Sequence, residues 1–360
     1  MKKEMLLLFY FCFYIMGYAQ QGYISLEVKE NIRARVDAGD NVSIVVGYFD
    51  GDEVEYYSYG KTSIKDGVPV NEHSVFEIGS ITKVFTTILL ADKVLKGEMK
   101  LSDPISKYLP KHIKTPKKKG EEITLKDLAT HSSGLPNMPS NILPINPNNP
   151  FANYTPNRLY SFISQHKLNN PIGERFEYSN LGVALLGHIL ELQSNTDYEN
   201  LILKTIAEPL KMNATKIILT PSMQTNLAYG HSQGRKVDNW DLGVLMGAGG
   251  IRSTAKDMVT FLQANILERP SPIKSAMTLS HQSAYKSKQG REVGLGWLYA
   301  NNGSVIWHNG GTGGYTSFLG FLKGTTKGVV VLTNTRGANV DDIGGKLLGG
   351  KRPLTKPSPN

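Results

Sequence analysis

The chain has 360 residues, a formal net charge of +9 and a single cysteine, Cys12. This length accommodates one large domain or two closely packed ones. Because Cys12 lies in an N-terminal segment that we expect to be removed, the mature protein would have no disulfide, thiol nucleophile or Cys-ligated metal site.

The first nineteen residues have the pattern of a secretory signal peptide. Lys2 and Lys3 precede an apolar stretch from Met5 to Met16, and small residues follow before Gln20. This order is typical of such peptides, and the apolar stretch is too short for a comfortable transmembrane span. We expect a secreted, periplasmic protein without stable membrane insertion; an uncleaved N-terminal anchor is the alternative.

The region after the signal segment begins with a helix and a hairpin. Residues 25–36 have the apolar spacing of an amphipathic helix. Residues 42–48 and 54–59 are typical of strands, and Asp-Gly-Asp at 50–52 predicts the turn between them.

The rest of the chain is predicted to be helical in the middle and strand-rich near its end. One helix begins at Ser80 and stops at Gly97. Further helices are predicted at 125–130, 156–165, 181–192, 198–210 and 254–266. Strand signals return at 295–300, 305–308, 317–322 and 329–334, before a short helix at 340–348.

Strands near both ends of the chain therefore enclose a long helical middle. The economical architecture is an α/β (α+β) fold, with one antiparallel sheet formed from both chain ends, flanking helices and a mainly helical inserted subdomain at about 98–290. One domain would cover residues 20–350, and the proline-rich residues 351–360 would form a disordered tail.

A basic run at 111–119 could suggest an anionic partner. It contains Pro116 and no interleaved aromatic residues. We interpret it as a solvated loop and expect no nucleic-acid partner.

Ser80 and Lys83 form the most informative motif. Residues three apart share a helix face, so the amine of Lys83 can reach the hydroxyl of Ser80. A nearby base that accepts its proton makes a serine a useful nucleophile, and a helix N-terminus favours the anionic form. Ser-x-x-Lys alone also occurs by chance in many helices.

Tyr178 and Asn180 lie in a predicted turn before the helix at 181–192. A phenol and a carboxamide two residues apart can point into one cleft. A positive charge such as Lys83 would favour the phenolate, so Tyr178 could shuttle protons, and Asn180 could donate to a substrate carbonyl. A surface loop is the alternative interpretation.

A glycine-rich segment from His308 to Tyr315 overlaps the end of a predicted strand. Glycines beside a strand allow a ligand to approach the backbone closely. The N–H of Gly311 could pair with that of Ser80 as an oxyanion hole, and His308 would supply a polar or cationic side chain. Without the other motifs, a hairpin loop would explain the glycines.

The three motifs occur in this order on a chain of this length, and the segments 130–136 and 248–257 accompany them. In combination, over about residues 25–348, they resemble the class C β-lactamase and penicillin-binding serine hydrolase family.

The resemblance assigns Ser80 as nucleophile, Lys83 as its partner and Tyr178 as general base. It assigns substrate binding to Asn180, His308, Asn309 and Gly310.

His308 departs from the family pattern, which has the lysine of Lys-Thr-Gly at this position. Histidine, with a reference pKa of ~6.5, is mostly neutral at pH 7 unless an anion raises that pKa. The substitution is familiar in the family's peptidase-like and esterase-like members. It argues against strong β-lactamase activity and leaves the acyl-transfer mechanism intact.

Two other patterns are interpreted as structural. Residues Gly230 to Gly234 match a G-x-S-x-G nucleophile motif but lack its preceding strand and following helix. Glu191 and Asn195 are similar to a pair that positions water in class A β-lactamases, yet they lie at a predicted helix end.

We therefore expect a secreted serine acyl hydrolase that acts on β-lactams through an acyl-enzyme. The alternatives are a D-alanyl-D-alanine carboxypeptidase/endopeptidase or esterase of the same family, and a penicillin-binding receptor that does not hydrolyse its acyl-enzyme. The partner would be a small-molecule β-lactam or a peptidoglycan stem peptide, and the protein would be a monomer. No cofactor or metal is expected, since His131, His188 and His281 show no metal-ligand spacing.

Overall fold

The computed structural model describes residues 22–359. The expected signal peptide and Cys12 lie outside these residues. Within the described range, no helix has the length and apolarity needed to cross a membrane.

Most α-helices of this range lie close to their predicted positions, whereas those at residues 221–225 and 274–280 were not predicted. The helices are α1 (Leu26–Asp37), α2 (Thr82–Leu95), α3 (Leu125–Ala129), α4 (Pro156–Gln165), α5 (Asn180–Ser194), α6 (Tyr198–Ile202), α7 (Pro221–Thr225), α8 (Ala255–Ile266), α9 (Lys274–Ser280) and α10 (Asp341–Leu347). A π-helical turn, Leu203–Ala207, continues α6, so the helix predicted at 198–210 is irregular. Short 3-10 turns lie at Gly79–Ile81, Ile105–Lys107, Gly243–Ala248 and Asn301–Gly303.

The strands include several short pairs that the sequence patterns did not predict. They are β1 (Ser43–Asp50), β2 (Glu53–Gly60), β3 (Val75–Glu77), β4 (Lys117–Lys118), β5 (Glu121–Glu122), β6 (His231–Ser232), β7 (Arg235–Lys236), β8 (Arg252–Thr254), β9 (Tyr285–Lys286), β10 (Glu292–Val293), β11 (Leu298–Ala300), β12 (Val305–Gly311), β13 (Thr316–Leu322) and β14 (Lys327–Thr333).

The central sheet confirms the expected architecture. Its strand order is β2-β1-β14-β13-β12-β11-β10-β9, and the neighbours pair antiparallel. The two ends of the chain meet where β1 pairs with β14, with Ile44 opposite Thr333. The predicted β1–β2 hairpin is also present; its turn contains Gly51 at φ +63°, a conformation that glycine adopts without steric cost.

Helices cover both faces of this sheet. Val28 and Ile32 of α1 and Ile343 of α10 pack on one face against Val46 and Val331. On the other face, α8 contacts β1, β13 and β14. Double coverage explains why β1 is buried along nearly its whole length and reads as a continuous apolar run.

α2, which follows the candidate nucleophile, runs through the interior. Its residues from Thr82 to Asp92 are buried, and Phe85 stacks on Phe261 of α8 at a centroid distance of 4.2 Å. A helix that is apolar on all sides has no solvent face and is held by packing. The residues on its first turn are therefore held in a rigid frame.

Two boundaries differ from the expected ones. The insertion expected to end near residue 290 ends earlier, because α8 packs on the sheet and β9 belongs to it. Residues 351–359 contain no helix or strand, but they are not free of the fold: the N–H of Ser358 donates to Asp40 at 2.8 Å. Composition indicates disorder in this tail without taking account of such partners elsewhere in the chain.

Candidate active site

Ser80 lies in the 3-10 turn Gly79–Ile81, which leads into α2. The predicted helix start at Ser80 is therefore two residues early. Gly79 has φ +51°, and a Cβ on it would lie 2.7 Å from the nitrogen of Gly311. Only glycine allows this turn to pack so closely against the end of β12.

Lys83 is fully buried on the first turn of α2. Its Nζ lies 2.9 Å from Ser80 Oγ and donates to the carbonyl of Ala248 at 2.7 Å. Burial holds the pKa of the Lys83 amine well below its usual value of 10.5. The neutral amine that burial favours can accept the proton of Ser80.

Tyr178 lies in the loop before α5, with its ring centroid 5.1 Å from Lys83 Nζ. Burial raises the pKa of Tyr178 to about 12, and a hydrogen bond with Ser80 opposes that rise. Burial favours the neutral form of both groups, which opposes the phenolate expected at Tyr178 from the sequence. The resting site places Ser80 between an amine and a protonated phenol.

His131 holds Tyr178 in place, a role that its sequence context did not reveal. The amides on both sides of Tyr178 donate to it, Glu177 N–H to its carbonyl at 2.7 Å and Ser179 N–H to its Nδ1 at 3.1 Å. Its ring lies 4.4 Å from the Tyr178 ring. Burial, with Lys83 and His308 adding to it, holds the pKa of His131 well below its usual value. Its position in the segment 130–136 was the available signal.

Gly310 and Gly311 bring the end of β12 against the Ser80 turn. A Cβ on Gly310 would collide with the carbonyl oxygen of Ile78, which also accepts a hydrogen bond from Ser317 Oγ at 2.8 Å. Gly310 therefore provides steric clearance at this point, and the substrate contact expected for it stays a prediction. Gly311 is exposed and lines the same cavity as Ser80, as an oxyanion-hole donor requires.

His308 is fully buried beneath the cleft, with its ring centroid 6.3 Å from that of Tyr178. Its Nδ1 lies 2.6 Å from the carbonyl oxygen of Asn309, so Nδ1 carries the proton, and Nε2 has no partner within the described chain. Burial, helped by Lys83, lowers the pKa of His308 to about 3. A cationic His308 that binds a substrate carboxylate is therefore not what this geometry supports.

The side chains of Asn309 and Asn180 lie in different places, and only that of Asn180 reaches the cleft. Asn309 donates to Asp341 of α10 at 2.7 Å, on the sheet face opposite His308, because successive side chains of a strand alternate. The structure therefore does not bring Asn309 to the cleft. Asn180 lines the cavity beside Ser80, and its Nδ2 donates to Asn137 at 2.7 Å.

The cavity beside Ser80 has a volume of about 90 Å³ and lies between Asn180 and Gly311. Most of its wall is apolar and comes from loops and a 3-10 turn that carry no recognised motif. The side chains concerned are Met138, Phe151, Trp240, Leu242 and Leu245.

The two patterns interpreted as structural have structural roles. Residues 231–232 and 235–236 form the β6–β7 hairpin. Glu191 accepts from Tyr198 N–H at 3.0 Å, and Asn195 ends α5 in the left-handed conformation. Among residues 22–359, no three His, Cys, Asp or Glu side chains are grouped so that they could hold a metal ion.

Comparison with known proteins identifies relatives over most of the chain. The Beta-lactamase family model matches residues 28–349. The chain is 30% identical over 332 residues to the D-alanyl-D-alanine-carboxypeptidase/endopeptidase AmpH of Escherichia coli (strain K12), which covers 86% of this chain and 85% of that protein. It is 28% identical over 329 residues to a β-lactamase of Yersinia enterocolitica, with 81% of each covered.

A solved structure shows the same fold. The class C β-lactamase from Rhodobacter sphaeroides superposes with a TM-score of 0.75 at 24% sequence identity, over 87% of this chain and 94% of that one. The family model and the similarity to AmpH extend over nearly all of the chain that carries the site. Sequence and fold together place the chain in the β-lactamase family of serine hydrolases.

Proposed function

We propose that the protein cleaves acyl compounds through a covalent acyl-enzyme at Ser80. The observation that carries this proposal is the 2.9 Å contact between Ser80 Oγ and the buried amine of Lys83. As Ser80 attacks a carbonyl carbon, its proton passes to Lys83, so the site never holds a free alkoxide.

The N–H groups of Ser80 and Gly311 stabilise the oxyanion that develops on the attacked carbonyl. The close packing at Gly79 and Gly310 supports this role, because it fixes the Ser80 turn against the end of β12 before substrate arrives. Loss of one such preorganised donor typically costs about 2.7–4 kcal/mol of transition-state stabilisation.

Tyr178 delivers the proton to the leaving group and recovers one from Lys83. A phenol whose pKa is about 12 is protonated at working pH and is available as this acid. In the second half of the reaction, water attacks the acyl-enzyme carbonyl and loses a proton to the same pair of residues, which return a proton to Ser80 Oγ as its bond to the acyl carbon breaks.

We propose β-lactams as the first acyl donors and D-alanyl peptides as the second. The names of the relatives support both classes. In each class the leaving group is an amide nitrogen that must be protonated, which matches the place of Tyr178. The N-terminal basic and apolar pattern supports export to the periplasm, where such substrates occur.

Hydrolysis of uncharged esters is a second candidate, and one observation favours it. His308 occupies the place of the family's lysine, and burial lowers its pKa to about 3. A substrate carboxylate therefore meets no cation at that position, so carboxylated donors lose the advantage they have over neutral ones in typical members.

The test combines a chromogenic cephalosporin, fluorescent-penicillin labelling and p-nitrophenyl acetate. Cephalosporin turnover supports a β-lactamase. Stable labelling without turnover supports a peptidase or a penicillin-binding receptor, and ester turnover alone supports an esterase. If none of the three reagents acylates Ser80, the proposed function is wrong.

A further inference from the structure

The cavity beside Ser80 is a preformed apolar pocket. Trp240 forms one wall, with its ring edge-on to Phe151 at a centroid distance of 5.0 Å. Met138, Leu242 and Leu245 complete it, and no charged residue lines it. A carboxylate or ammonium group in this pocket would lose much of its hydration without gaining a partner of opposite charge.

Trp240 is held rigidly from behind. The backbone N–H of Trp240 donates to Glu77 Oε1 at 2.9 Å, and its backbone carbonyl accepts from Arg252 Nη2 at 2.9 Å. Glu77 and Arg252 are themselves a buried ion pair, separated by 3.3 Å. The indole also lies against Gly313, where a Cβ would come within 2.5 Å of Trp240 Nε1. The pocket is therefore a fixed feature of the fold, which lowers the entropic cost of filling it.

Thr312 supplies the unused polar group of this pocket. Its side chain is 6% exposed and lines the cavity, and Oγ1 has no hydrogen-bond partner among residues 22–359. A buried hydroxyl without a partner costs about 1–3 kcal/mol, and a polar atom of a bound ligand would recover that cost.

The position of the proton-transfer groups shows which part of a substrate faces the pocket. Lys83, Tyr178 and His308 do not line it, whereas Ser80 and Gly311 do. The leaving group must receive a proton, so it lies on the side of Lys83 and Tyr178. The rest of the acyl group then extends from the carbonyl to the other side, into the pocket.

We propose that this pocket binds the acyl side chain and selects uncharged, apolar acyl groups of a few carbon atoms, with Thr312 binding one polar atom near the carbonyl. The proposal rests on the acyl-enzyme at Ser80. The volume of about 90 Å³ is several times the ~10–15 Å³ that a cavity needs to hold one water molecule, which leaves room for a short acyl chain.

The test uses p-nitrophenyl esters of acetate, propionate, butyrate and hexanoate, and the hemisuccinate as a charged analogue of butyrate. Acylation of Ser80 is followed by p-nitrophenol release and intact mass. We expect kcat/KM to rise about fourfold per methylene group up to butyrate, the upper value for full burial of a CH₂. The hemisuccinate should react at least about tenfold more slowly than butyrate, because its carboxylate meets no positive charge in the pocket.

Variants separate the pocket from general effects. Trp240→Ala should reduce the butyrate-to-acetate ratio of kcat/KM, and the exposed Ile218→Ala should leave it unchanged. Thr312→Val should lower kcat/KM for an N-acetylglycine ester about three- to tenfold relative to butyrate, whereas Thr312→Ser should retain the wild-type ratio.

The outcomes distinguish this inference from the proposed function. A flat chain-length series, or faster reaction of the hemisuccinate, overturns the pocket assignment while Ser80 remains acylated. Acylation by penicillin with no reaction of any ester also overturns it. Absence of any adduct at Ser80 overturns the proposed function itself.

Discussion

Replacement of His308 by Asn tests the neutral state of the buried imidazole. In the wild type, the pKa of His308 is lowered by burial from 6.5 to about 3. A group with a lowered folded-state pKa contributes stability above its unfolded-state pKa, and that contribution is lost as the pH falls. At pH 5 the unfolded chain binds a proton here that the folded chain does not. Relative to pH 8, this costs the wild type about 2 kcal/mol of unfolding free energy.

Urea unfolding of the wild type and of His308→Asn at pH 8 and pH 5 measures this cost. Asn retains an amide N–H in place of Nδ1–H but cannot titrate. We expect the wild type to be the more stable protein at pH 8, and the gap to shrink by about 2 kcal/mol at pH 5. His281→Asn is the matched control: burial also lowers the pKa of His281 to about 3, but this residue lies outside the cleft. The stability difference between the wild type and His281→Asn should shrink by a similar amount at pH 5, and His281→Asn should keep the wild-type kcat/KM.

If the stability difference between the wild type and His308→Asn stayed constant or grew from pH 8 to pH 5, the reasoning would be refuted. Activity gives an independent check, because a neutral His308 predicts parallel pH profiles of kcat/KM for a carboxylated substrate and its methyl ester between pH 5.5 and 8.5. Selective loss of the carboxylated substrate as the pH rises would show that His308 is a cation in the complex.

Three further predictions concern the residues around the nucleophile. Ser80→Ala should abolish the penicillin adduct seen by intact mass, whereas Ser232→Ala in the β6–β7 hairpin should keep near-full activity. Tyr178→Phe should lower kcat by about 10²–10⁴. Lys83→Arg should lower it as much, because a guanidinium does not give up its proton at working pH. Wild-type turnover in either variant would show that the replaced residue does not transfer the proton. His131→Leu should lower kcat with little change in KM, and His131→Asn should recover much of the lost kcat because it restores an acceptor for Ser179 N–H. In a Tyr178→Phe background, His131→Leu should lower kcat no further, a result that a general folding defect would not reproduce.

Local features of the site could be predicted from the sequence. Features that depend on burial, or on which face of the sheet a strand residue occupies, could not. The Ser80–Lys83 contact follows from a spacing of three residues in one turn. The face that each side chain of β12 presents depends on its pairing with β13, so the sequence pattern could not separate His308, which lies beneath the cleft, from Asn309, which faces α10.

Protonation states and pocket walls needed the tertiary structure. The neutral form of Lys83 follows from burial by segments far away in the chain, one of which supplies the Ala248 carbonyl. Phe151 and Trp240 lie in loops without periodicity. The buried pair of Glu77 and Arg252 holds the loop of Trp240, and hydrogen bonds between Asn149 and Asp241 join the two loops. By contrast, the sheet was predicted correctly because its long strands have strong local signals at both ends of the chain.

The pairing of β1 with β14 determines when this molecule can become active. Ser80 is synthesised early, whereas β12, with Gly311, and β14, which pairs with β1, follow much later in the chain. Contacts so distant in sequence form slowly, because a long loop must close before they contribute. A nascent chain that has not reached the end of β12 lacks Gly311 and with it the oxyanion hole, and a chain that lacks β14 cannot close the sheet. The nucleophile therefore stays inert until both strands have been made.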